Sequence, residues 1–125
     1  MSLRNDKLDQ VLAEARPRIA KHWTFFHTAA PSAIARVNEL LDEYFEKLKA
    51  LPDGALSMTV LREIEALIRG LGEVNAACNG TLLETDEREL LVPIIIEAAS
   101  IAGLNVDEFD DRDPTLGFRA EFEVL

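Results

Sequence analysis

Thr85-Asp86-Glu87-Arg88-Glu89-Leu90-Leu91-Val92-Pro93-Ile94-Ile95-Ile96-Glu97-Ala98-Ala99-Ser100-Ile101-Ala102-Gly103 is the stretch whose reading decides how this chain folds. A threonine able to cap, acids that face the positive end of a helix dipole, a nearly continuous apolar run and a closing glycine together write a buried helix. Pro93 kinks that helix and interrupts residues 90–96, which would otherwise form an aggregation-prone strand. A helix that is apolar on nearly every side has to be surrounded, so the preceding sequence must supply the covering faces.

It supplies three. From Asp6 to about His27, apolar residues at Leu8, Leu12, Ala15, Ile19, Trp23 and Phe26 recur every three or four positions, which gathers them on one helical face. Pro17 falls on the opposite, charged side and predicts a kink near Arg16. After the break at Ala29-Ala30-Pro31-Ser32, a second stripe runs through Ile34, Val37, Leu41, Tyr44, Leu48 and Leu51, widened by Leu40 and Phe45. Pro52-Asp53-Gly54 ends it. A third stripe, Val60, Ile64, Leu67, Leu71, Val74 and Cys78, follows a cap at Ser57 or Thr59 and closes at Asn79-Gly80; Gly70 and Gly72 weaken it by about 1 kcal/mol each relative to alanine.

Short connections favour antiparallel neighbours, so the expected fold is all-α, an irregular up-down four-helix bundle, with residues 1–125 as one domain. Residues 103–125 form an acidic C-terminal tail expected to pack on the bundle as a short helix or an extended segment. Phe118, Ala120, Phe122 and Val124 alternate like a strand, yet Phe118, Phe122 and Leu125 also keep helical spacing, and Asp113-Pro114 reads as a helix start.

Composition excludes several functions. At 125 residues, with 48% hydrophobic and 29% charged residues, the chain can bury a real core and is neither fibrous nor disordered in type. Its net charge of −10 repels phosphate backbones and anionic lipid, so no nucleic acid and no membrane surface is expected as a partner. Residues 90–96 fall far short of the roughly 20 apolar residues that cross a bilayer. One cysteine, Cys78, cannot form an internal disulfide, and the first residues lack the apolar core of a signal peptide, so a cytoplasmic setting is expected.

Three clusters are candidate sites. His22-Trp23-Thr24-Phe25-Phe26-His27 gathers aromatic residues at the end of the first helix; Trp23 and Phe26 continue the core stripe, whereas Phe25 shares a face with Arg18, Lys21 and His22. His22, Trp23, Phe25, Arg18 and Lys21 are therefore the interface candidates. Asp107, Glu108, Asp110, Asp111 and Asp113 form an acidic patch, but its spacing does not suit a calcium loop: starting from Asp111 puts Leu116 where glycine is required and Phe122 where a bidentate glutamate is required. Glu84 and Arg88 stand one turn apart and would face a groove together, as the mouth of a pocket, although acids at residues 84–89 already suit a helix start.

No catalytic or metal-binding motif emerges. Neither histidine has a glutamate three residues before it, no His-Glu-x-x-His occurs, and there is neither a phosphate-cradling glycine loop nor a nucleophile elbow. Cys78 sits on an apolar stripe without a cationic neighbour in sequence and reads as an inert thiol. No cofactor is implied. The expectation is a small acidic protein-binding module with no catalytic constellation evident, acting on itself as a homodimer or on a foreign protein as an inhibitor or immunity-type protein. The alternative is a bundle with an internal pocket for a small apolar ligand or modest acid–base chemistry, with Glu84, Arg88 or His22 at its mouth.

Overall fold

A computed structural model describes residues 3–25, 29–52 and 54–104. Among the described residues the architecture is all-α: α1 (Leu3–Phe25), α2 (Pro31–Ala50), α3 (Ser57–Ala77) and α4 (Thr85–Ala102), with no strand. The core assignment of Phe26, the acidic patch at residues 107–113 and the expected tail helix lie outside the described residues.

Each helix packs antiparallel to the next. Arg4, in the first turn of α1, donates from its guanidinium to the carbonyls of Lys49 and Leu51 at 3.0 and 2.7 Å. It thereby satisfies two of the carbonyls that the end of α2 leaves without helical partners. Further along the same seam, Lys49 pairs with Asp9 at 2.9 Å and Arg16 with Asp42 at 2.7 Å. Lys49 also reaches Glu46, and the hydrogen bond to Asp9, followed by that to Glu46, holds its ammonium above the ordinary lysine range. At the far end of α1, His22 meets Glu87 in the first turn of α4.

Local signals explain the helix ends. Pro31 opens α2 as a first-turn residue, where its missing N–H costs nothing. After α3, Asn79 adopts φ 58°, Asn79 N–H bonds the Ala76 carbonyl at 3.0 Å and Gly80 N–H bonds the Asn75 carbonyl at 2.9 Å, a Schellman closure. Gly103, at φ 123°, ends α4 in the same manner, with Leu104 N–H on the Ala99 carbonyl at 2.9 Å and the Leu104 side chain buried. The start of α4 differs from expectation: Glu84, not Thr85, is the N-cap, in a capping box with Glu87. Likewise Leu56, not Ser57 or Thr59, is the N-cap of α3.

Pro17 and Pro93 both lie inside unbroken helices and on exposed positions. Each proline frees a carbonyl four residues earlier, and placement on the solvent side lets water satisfy it. The core draws on all four helices, and α4 packs against each of the other three, while α1 and α3 sit across the diagonal and hardly touch. In α4, Leu91, Val92, Ile94, Ile95, Ala98, Ala99 and Ala102 are buried, and a strip at Pro93, Glu97 and Ser100 faces out. That burial of apolar surface, at about 25 cal/mol per Å², is the main force joining the helices.

At Gly70, α3 lies close against the Leu40 side chain of α2. A Cβ there would stand 2.8 Å from Leu40 Cδ2, so the glycine that weakens α3 locally also lets the Leu40 side chain seat against its backbone. α3 runs through both Gly70 and Gly72 to Ala77. No described helix is long and apolar enough to cross a membrane.

Candidate functional site

The end of the bundle that gathers the close of α1, the start of α2, the close of α3 and the start of α4 carries the buried polar side chains of Glu87 and Asn75. His22 Nε2 lies 2.6 Å from Glu87 Oε2, with side chains 12% and 3% exposed. With the carboxylate as acceptor, Nε2 carries the proton. The other carboxylate oxygen, Oε1, accepts the Glu84 backbone N–H at 2.9 Å, so one buried acid closes the α4 cap and ties α4 to α1. The imidazole stands edge-on to Trp23, ring centroids 5.6 Å apart.

A histidine oriented by a carboxylate is half of an acid–base device. Here the carboxylate is committed to a helix start, and the pair spans two helices as a strut. Among the described residues, no group of three or more histidine, cysteine or acidic side chains gathers as metal ligands would.

Asn75 is the second buried polar side chain at this end. Its Oδ1 accepts the backbone N–H groups of Leu82 and Leu83 at 3.0 and 2.9 Å, which fixes the α3–α4 connection and turns both leucines into the core. The third stripe does not include Asn75, and an asparagine near a helix end more often signals a turn than a buried acceptor.

The interface candidates divide. Trp23 is buried and belongs to the core. His22 is half-buried and turned to Glu87, away from the face it was expected to share with Phe25. Arg18, Lys21 and Phe25 remain exposed, and their spacing of three and four places them in one row along the last two turns of α1. Phe25 is 72% exposed. Of the other large apolar residues exposed to a similar degree, Leu3, Leu56 and Met58, each lies at or beside the start of α1 or α3, at the opposite end.

The pocket-mouth pair is absorbed by the helix start. Glu84 caps α4, and Arg88 lies over that cap, with Nη2 3.3 Å from the Thr85 hydroxyl. A groove of about 420 Å³ opens elsewhere, between the start of α2 and the close of α3. Ala30, Ala33, Val74, Ala77 and Cys78 give it an apolar lining, and Arg36 and Glu73 border it. Cys78, which has no cationic neighbour in sequence, is half-buried in this groove with Arg36 on its border.

Among the described residues, fold and site define an all-α up-down bundle in which an exposed row of Arg18, Lys21 and Phe25 and an apolar groove stand at the same end. No family model, no curated protein and no solved structure matches the chain, so its function is read from these surfaces.

Proposed function

We propose that this chain is a small acidic protein-binding module that associates with a second copy of itself through the outer face of the last two turns of α1. The observation that carries the reading is Phe25, 72% exposed in a helix whose other long apolar side chains past its first turn are buried or half-buried. Covering a phenylalanine is worth about 1.5–3 kcal/mol, and Arg18 and Lys21 add the charged flank that accompanies aromatic hot spots. The local cations also matter because two copies each carrying −10 repel one another, and a basic row is where that repulsion is weakest. A single cysteine and a strongly negative chain suit the cytoplasm as the setting.

Light scattering after size-exclusion chromatography tests this over a range of concentrations. The wild-type chain is expected to approach the mass of a dimer as concentration rises, and Phe25→Ala to remain a monomer with unchanged circular dichroism and melting temperature. A Phe25→Ala dimer as tight as wild type, or a wild-type chain that stays monomeric throughout, overturns the reading.

A further inference from the structure

We infer that the α2–α3 groove is the receptor for Phe25 of the second copy, so that the two chains exchange aromatic side chains across a two-fold axis. The inference rests on the self-association read from Phe25 above and adds where the ring lands. Three features point to it.

The first is shape. The groove is shallow and open, about 420 Å³, and its floor of three alanines, a valine and a thiol, with Ser32 at one side, leaves room where two antiparallel helices would otherwise meet side chain to side chain and gives an aromatic ring an apolar surface to lie on. The second is position. Phe25 closes α1 and the groove begins at Ala30, so knob and hole stand at the same end of one chain. A two-fold partner can then give and receive at once, which closes the assembly and leaves no hole open to propagate into a filament.

The third is charge. Lys21 lies one turn behind Phe25, about 6 Å along the helix, and Glu73 is exposed beside the groove. With the ring on the apolar floor, the Lys21 ammonium comes within reach of Glu73. Arg36, on the opposite border, is already held by Glu39 and Glu43 at 2.9 and 3.6 Å, so it is compensated within its own chain and does not turn an approaching cation away.

Cys78 supplies the readout, because it is the chain's single cysteine and lies in the groove. Alkylation by iodoacetamide is expected to slow several-fold at concentrations where the wild type is dimeric, and in Phe25→Ala to proceed at the dilute rate throughout. A dimer that depends on Phe25 but leaves the Cys78 rate unchanged overturns the groove as receptor while the self-association reading stands. A chain that is monomeric throughout overturns both.

A charge exchange gives a second test. Lys21→Glu and Glu73→Lys chains are each expected to dimerise several-fold more weakly alone, and an equimolar mixture to recover a heterodimer, since both contacts are then oppositely charged. A mixture no tighter than either variant alone overturns the Lys21–Glu73 pairing and with it the proposed seat of the ring.

Discussion

His22 and Glu87, 65 residues apart in sequence, meet at 2.6 Å and fasten the close of α1 to the start of α4. Glu87 has two obligations there, one to the imidazole and one to the Glu84 N–H, and it meets both while almost fully removed from water.

Removing either partner deletes the contact between α1 and α4, and the two losses are unequal. His22→Ala is expected to cost about 1.5–3 kcal/mol, the range for a hydrogen bond to a charged group. Glu87→Ala is expected to cost about 1 kcal/mol more, because its half of the α4 capping box is lost with it. Urea denaturation of both variants checks the order. Equal midpoints would mean that the cap contributes nothing to stability.

Tyr44 donates its hydroxyl to the Ile95 carbonyl at 2.9 Å inside the core. Burial, with Glu63 adding to it, pushes the phenol far above the ordinary tyrosine range, so the folded state prefers the neutral form. The sign follows: the stabilisation is complete below the unfolded value of about 10 and is lost as pH rises beyond it. Because Tyr44 is the chain's single tyrosine, tyrosinate absorbance is expected to appear only together with alkaline unfolding. Tyr44→Phe should lose about 1 kcal/mol at neutral pH and show a weaker decline in stability above pH 10. Tyrosinate formed in a still-folded chain would contradict this.

Asn75 holds two backbone N–H groups with one oxygen. Asn75→Leu keeps the branched shape with methyl groups in place of the amide atoms and removes the acceptor, leaving both donors buried without it. A cost of about 2–4 kcal/mol is expected, with hydrogen exchange at Leu82 and Leu83 accelerating ahead of the helix interiors. Unchanged exchange at those two amides would show that the connection is held by something else.

Gly70 sets helix propensity against packing. Alanine favours α3 by about 1 kcal/mol, but its Cβ would press on Leu40 Cδ2, the far end of a side chain that has to move aside. Gly70→Ala is therefore expected to be nearly neutral in the native background and to stabilise by about 1 kcal/mol once Leu40→Ala has cleared the space. Thermal melts of the two single variants and the double variant provide the cycle, and simple additivity would disprove the close approach.

Much of the bundle was legible because its cues are short-ranged. Pro31, Asn79-Gly80 and Gly103 mark helix ends through backbone conformations that those residues favour by themselves, and all three stand where the sequence puts them. The stripes carried the core, though not to the residue: Val11 is buried where Leu12 was expected to be, and Leu12 is half-buried. A stripe gives the direction of a face, but the neighbours on either side of it decide which edge is covered. The exposure of Phe25 followed from its place on the face it shares with Arg18 and Lys21.

The site was less legible. Glu87 reads in sequence as one more acid at a helix start, and His22 as part of the Phe25 face; nothing local connects them. The groove could not be read either, since it arises from small side chains at residues 30 and 33 meeting those at residues 74, 77 and 78.

By itself the sequence determined the four helices, the breaks between them, their alternating direction and the sign of the net charge, because periodicity, short turns and net charge act within a few residues or over the whole chain. Only the tertiary structure decided which polar groups are buried together, that Gly70 gives Leu40 its seat, and that an aromatic knob and an apolar groove share one end. Those outcomes depend on side chains dozens of residues apart being brought within a few ångströms, and that distance is set by the joint packing of the helices, which no single segment encodes.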